Sequence, residues 1–111
     1  MRSESIKVLI ADDHALMRAG LRQMLEQHLA FQVVGEAADG REVLDLVPTL
    51  EPDVILMDIT MPKLNGLDAT ARVKRSWGHV QVVILSMHAN EEYVWQALQS
   101  GASGYLLKDA T

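Results

Sequence analysis

The sequence predicts an α/β fold, a doubly wound five-stranded parallel sheet with helices packed on it. Two observations carry this. Five short apolar runs recur along the chain, Ile6–Ala11, Gln32–Ala37, Asp53–Asp58, Val80–Leu85 and Gly104–Leu107. Most are rich in Val, Ile and Leu without alternation, as suits strands buried on both faces. Between them lie stretches with helical spacing, giving the order βαβαβαβαβ, which right-handed crossovers wind into a sheet with helices on both faces.

The helices follow in order. Met17, Leu21, Met24 and Leu25 fall at i, i+4, i+7 and i+8, one apolar stripe. Val43, Leu44 and Val47 form the second, which Pro48 is expected to end or kink. Leu67, Ala71 and Val73 give a weaker third stripe. Val94, Ala97, Leu98 and Gly101 mark the fourth, with Asn90 as its N-cap and Glu91 and Glu92 in its first turn. Met61–Gly66 reads as a loop after the third strand. There is no internal repeat, and residues 1–111 read as one domain. The chain ends at Thr111, shortly after the fifth strand, so the sheet is expected to lack a closing helix on one face. The apolar patch left there would be covered by further chain, by a partner or by a lattice neighbour.

Composition narrows the function classes. Hydrophobic residues make up 49% and charged residues 23% of the 111, the balance of a globular domain. A net charge of −5 argues against direct nucleic-acid binding by this segment, because phosphate backbones are bound by clustered Lys and Arg. With no cysteine there is no disulfide framework and no thiolate chemistry. No apolar run approaches the ~20 residues of a membrane span, and no secretory leader is expected from the first residues.

In open α/β sheets, sites form at the carboxyl ends of the strands. Those ends hold Asp12 and Asp13, Asp58, Ser86 and Lys108. Two carboxylates ~5 Å apart repel by roughly 3 kcal/mol at an effective dielectric near 20. A cluster of three either raises its own pKa values or binds a cation. Oxygen donors around an open position suit Mg²⁺, which recruits phosphate oxygens. A carboxylate can then serve as nucleophile, with Lys108 and Ser86 stabilising the transferred group. Singly, each element has a simpler reading. Asp12 and Asp13 could cap the first helix, Asp58 could end a strand, Ser86 could be a turn residue and Lys108 a surface lysine. His14 and His88 read as helix-start or loop polar groups, and Trp77 and Trp95 as partly exposed packing residues. The joint placement at successive strand ends favours the chemical reading.

These residues resemble the response-regulator receiver family across essentially the whole chain. Val8-Leu9-Ile10-Ala11-Asp12-Asp13-His14 looks like its acidic-pair strand, and Asp58-Ile59-Thr60-Met61-Pro62-Lys63-Leu64-Asn65-Gly66 like its phosphoacceptor loop. Ser86 matches the Thr/Ser switch position, Tyr105 the aromatic switch position and Lys108 the lysine. Asp12-Asp13-His14, Met17-Arg18-Ala19-Gly20-Leu21 and Gly101-Ala102-Ser103-Gly104-Tyr105-Leu106-Leu107-Lys108-Asp109 further resemble the NarL/FixJ, LuxR-type class.

The resemblance implies a flavodoxin-like strand order 2-1-3-4-5. It implies Asp58 as phosphoacceptor, with Mg²⁺ held by Asp13, Asp58 and the Thr60 backbone carbonyl, and by Asp12 mainly through water. Ser86 and Lys108 would contact the phosphoryl oxygens. A sensor histidine kinase would be the donor, in the cytoplasm. A helix-turn-helix output domain would bind DNA, with a homodimer through the fourth helix and fifth strand as a further partner. Departures are Asp109 where many members carry proline, so no cis bond is expected there given its ~2.5–4 kcal/mol cost, and Met87, bulkier than usual beside Ser86. The family's last helix is missing from these residues.

Two other classes fit these residues less well. A phosphohydrolase of the haloacid-dehalogenase type needs an Asp two residues after its nucleophile, where this chain has Thr60. A flavin carrier or other binding module needs a phosphate loop after the first strand, and none is present.

Overall fold

A computed structural model describes residues 5–108. Five parallel strands, β1 (Ile6–Ala11), β2 (Phe31–Ala37), β3 (Val54–Asp58), β4 (Gln81–Ser86) and β5 (Gly104–Leu107), form one sheet in the order β2-β1-β3-β4-β5. The expected fold class and strand order are both present. The strand limits differ from the expected runs by no more than one residue at either end.

The sheet separates two layers of core. Leu9, Ala11, Ile55, Met57, Val82 and Ile84 face one side, packed with Val43, Val47, Ala69, Val73 and Ala97. These come from α2 (Gly40–Leu50), α3 (Gly66–Ser76) and α4 (Glu91–Gln99). Val8, Ile10 and Val33 face the other side, against Leu21 and Leu25 of α1 (Ala15–Glu26). Among the described residues no helix follows β5. A groove of about 320 Å³ remains beside α1, lined by Met24, Phe31, Leu56, Leu85 and Leu106 among others. It explains why Met24, on the expected stripe of α1, is 63% exposed.

Two expectations need correction. The second helix does not end at Pro48. It runs to Leu50 and closes at Glu51, which takes a left-handed φ of 51°. Pro48 lies in the last turn on the exposed side, where a missing N–H removes a single ladder bond. The buried face of α3 is Gly66, Ala69, Thr70 and Val73, with Leu67 and Ala71 only half-buried. The spacing is helical, but small and polar residues carry it. The Asn90 cap stands as expected, its side chain accepting a hydrogen bond from the Tyr93 N–H.

Candidate functional site

Parallel strands send all their carboxyl ends to one edge. Ala11 pairs in register with Met57, so the next residues along, Asp12 and Asp58, leave the sheet side by side. Ser86 pairs with Leu107, and Lys108 follows at once, its N–H donating to the Ser86 carbonyl at 2.8 Å. Adjacency of β1 and β3 at the sheet's switch point thus makes the acidic pair and Asp58 neighbours.

Asp12 and Asp58 are buried at 1% and 6% exposure. Lys108 Nζ sits between them, 2.7 Å from Asp12 Oδ2 and 3.2 Å from Asp58 Oδ2. Burial, then the Asp12 charge, pushes the Asp58 carboxyl above its ordinary value, against the pull of Lys108 and the Ile59 N–H. Burial pulls the Lys108 ammonium down, but Asp12 and Asp58 outweigh it and hold it above its usual range. Both shifts describe two carboxylates sharing one cation.

Neither Asp12 nor Asp13 caps α1. The N-cap is His14, whose side chain makes no capping bond. Asp12 Oδ1 instead accepts the His14 N–H at 2.8 Å, turning the chain in front of the helix. Asp13 stands at the rim, 3.1 Å from His14 Nδ1.

The site residues fit a divalent cation. Asp12, Asp13, His14 and Asp58 each offer one ligand atom, and these lie within 4.8 Å of one another. Three carboxylates face one ammonium. Asp12 Oδ2 is buried. Its neighbour is the Lys108 ammonium at 2.7 Å, which balances its charge.

The remaining positions are arranged around this centre. Thr60 is exposed between buried Ile59 and Met61. Ser86 is fully buried, but its Oγ accepts the His88 N–H at 2.9 Å and so is engaged with the loop after β4 rather than with Asp58. The Tyr105 hydroxyl donates to the His88 carbonyl at 2.7 Å, and the His88 ring stacks on Tyr93 with centroids 4.1 Å apart. Met87 is 61% exposed beside the site. Asp109 lies outside the described residues.

Two features were not singled out from the sequence. Gly66 packs so closely that a Cβ would lie 1.8 Å from the Asp58 carbonyl oxygen. The other is a clamp on α1. Arg18 donates to the Asp12 carbonyl at 2.6 Å and to Glu36 at 3.0 Å, and Arg22 donates to Glu36 at 2.7 Å. The Arg22 hydrogen bond, ahead of Arg18, outweighs burial and holds the Glu36 carboxyl below its usual range. A lowered carboxyl pKa stabilises the fold above the unfolded value, and that stability is lost as pH falls through the folded value. Arg22→Ala is therefore expected to lower stability by about 0.5–1 kcal/mol at neutral pH, the scale of an exposed ion pair. The difference should close in urea titrations repeated below the Glu36 transition.

Fold and site together define a response-regulator receiver, and the response regulator receiver domain model matches residues 8–111, so the chain belongs to that family. Among its relatives, the transcriptional regulatory protein DegU of Brevibacillus brevis is 44% identical over 109 residues, 98% of this chain and 46% of that protein. The response regulator UvrY of Escherichia coli strain K12 is 42% identical over 105 residues, 95% of this chain and 48% of that protein. The chain thus spans about half the length of the curated relatives it matches. The NarL signal receiver domain from Mycobacterium tuberculosis superposes with a TM-score of 0.90 at 42% identity, covering 97% of this chain and 87% of that one. A LuxR-family two-component response regulator from Aurantimonas sp. SI85-9A1 gives 0.91 at 33% identity, covering 96% and 76%. The resemblance to the NarL/FixJ, LuxR-type class is borne out. Among the described residues no helix is long and apolar enough to cross a membrane.

Proposed function

We propose that Asp58 is the phosphoacceptor and that the chain receives its phosphoryl group from a phosphohistidine of a sensor kinase. The observation that carries this is the buried Asp12–Lys108–Asp58 arrangement at the carboxyl edge, 2.7 and 3.2 Å across the ammonium. Asp58 Oδ attacks phosphorus in line. A P–O bond forms as the P–N bond to the donor imidazole breaks, and the imidazole leaves with that electron pair. Lys108 supplies positive charge to the transferring oxygens from its place between the carboxylates. Asp12, Asp13, Asp58 and the Thr60 carbonyl would hold Mg²⁺, which when bound neutralises charge on the incoming phosphoryl group.

The product adds roughly −2 charge at Asp58. Ser86 then turns to donate its hydroxyl proton to a phosphoryl oxygen, and in moving it gives up the N–H that its Oγ accepts from His88. His88 is released on one side, and on the other it is still held by Tyr105. The loop after β4 and the Tyr105 ring therefore shift together, biasing a two-state surface formed by α4 and β5. An attached DNA-binding domain, or a second copy of the chain, would read that surface in the cytoplasm and so control transcription. Water later hydrolyses the acyl phosphate, approaching between Thr60 and His88. Substituting either residue is expected to change the dephosphorylation rate several-fold, followed by loss of the phosphorylated mass with time. Unchanged rates in both variants would remove these residues from the water path.

The nucleophile can be located chemically. Borohydride reduces an aspartyl phosphate to homoserine, so peptide mapping after phosphorylation should place homoserine at position 58. Homoserine at 12 or 13 would reassign the acceptor.

A further inference from the structure

We propose that Arg18 is a positioning residue for the acidic pair: it fixes the peptide group between Asp12 and Asp13 and so sets where both carboxylates face a divalent cation. This rests on the reading of the carboxyl edge as a divalent-cation site. Arg18 is not itself a ligand. Its charge is balanced by Glu36, so what it contributes to the edge is a hydrogen bond and not an opposing cation.

The geometry begins with helix direction. Side chains on a helix lean toward its N-terminus, so a long residue one turn into α1 can reach back over the end of β1. Arg18 sits there, its own N–H donating to the His14 carbonyl at 3.0 Å. Its Nη1 donates to the Asp12 carbonyl at 2.6 Å and its Nε to Glu36 Oε1 at 3.0 Å. The side chain is only 19% exposed, so both bonds are largely shielded from water. One rigid guanidinium plane therefore ties the turn after β1 to β2.

At Asp12 the chain leaves the sheet. The Asp12 N–H still donates to the Ala37 carbonyl at 3.0 Å, but the Asp12 carbonyl turns to Arg18. Asp12 is 1% exposed, so water is a poor substitute donor, and loss of Arg18 would let the peptide turn in search of one. That peptide carries Asp12 on one side and Asp13 on the other, so its rotation moves both carboxylates. An unbalanced guanidinium here would repel a divalent ion. Glu36, which Arg22 also holds at 2.7 Å, cancels that charge. The competing role for Arg18 is an ion pair that merely ties α1 to β2. In that role Arg22, on the same Glu36, would serve as well.

The two roles separate in a calorimetric Mg²⁺ titration of the native chain, Arg18→Met, Arg18→Ala and Arg22→Ala, each first shown to be folded by circular dichroism. Arg18→Met and Arg18→Ala both lack the donor, so either suffices if the other does not fold. Loss of a group that orients metal ligands is expected to weaken Mg²⁺ binding about tenfold or more. Arg22→Ala breaks the same clamp on Glu36 but not the bond to Asp12, and should bind within about twofold of the native chain. The Asp13 amide belongs to the same peptide group as the Asp12 carbonyl. Its metal-free NMR signal should therefore move in the Arg18 variants and stay in place in Arg22→Ala. Arg18 variants that bind Mg²⁺ as tightly as Arg22→Ala, or that leave the Asp13 amide unmoved, would overturn the inference and leave the cation site standing. A native chain that binds no Mg²⁺ would overturn the cation-site reading, and this inference with it.

Discussion

Gly66→Ala is expected to lose both stability and phosphoryl acceptance. A Cβ at this position would sit 1.8 Å from the Asp58 carbonyl oxygen, 2.8 Å from its carbon and 3.0 Å from Met57 Cγ. Two of those three atoms are backbone of the strand that carries the acceptor, so no rotamer change relieves the clash. The Gly66 N–H also donates to the Ile59 carbonyl at 2.8 Å, closing the loop that follows Asp58. Helix α3 must therefore back away from β3 or the loop must open, at a cost of about 3 kcal/mol. Either movement displaces Asp58 relative to Asp12 and Lys108. Gly20→Ala is the matched control. Nothing lies within 4 Å of a Cβ there, and the residue is inside α1. That variant should gain about 0.5–1 kcal/mol from helix propensity. Urea unfolding of the two variants should thus move in opposite directions.

Lys108 and Asp58 substitutions should also have opposite signs. Lys108→Met removes the ammonium between two buried carboxylates and leaves Asp12 and Asp58 uncompensated. Breaking a buried pair from one side costs about 3–5 kcal/mol. Asp58→Asn keeps the shape and removes the carboxylate that burial and Asp12 have already pushed toward its neutral form. A carboxyl whose folded pKa is raised contributes stability below its unfolded value and loses it as pH rises through the folded value. At neutral pH the ionised Asp58 therefore opposes folding, and Asp58→Asn should be more stable than the native chain by about 1–2 kcal/mol. Thermal unfolding at neutral pH reads both. If Lys108→Met were as stable as the native chain, the ammonium would not be holding the carboxylates together.

The strands were legible because their burial on both faces is written as unbroken apolar runs. Val8, Leu9 and Ile10 point to alternate faces, yet all are buried. The converging edge was legible for the same reason, since parallel strands end together and Asp12, Asp58, Ser86 and Lys108 each follow or finish one. Features that depend on contact across elements were not legible. The buried face of α3 contains Gly66, Ala69 and Thr70, which carry little hydrophobic signal. Their smallness is explained only by how near α3 lies to β3. Thr70 escapes the penalty for a buried hydroxyl by donating to the Gly66 carbonyl at 2.7 Å. Pro48 signals a break wherever it stands, and the sequence does not show that only the last turn remained to be broken. The Ser86 hydroxyl was assigned to the phosphoryl group from its strand-end position and from the family resemblance. Its bond to the His88 N–H depends on the path of the following loop. His14 followed the acidic pair in plain sight, but the direction of its ring is set by an extended N-cap that spacing does not encode.

The central claim is that Asp58 accepts a phosphoryl group in a cation-dependent reaction. Intact mass after incubation with acetyl phosphate and Mg²⁺ tests it most directly, for the native chain and for Asp58→Asn. The native chain should gain the mass of one phosphoryl group, the gain should disappear when Mg²⁺ is chelated, and Asp58→Asn should gain nothing. An equal gain in Asp58→Asn, or no gain in a native chain shown to be folded, would contradict the account.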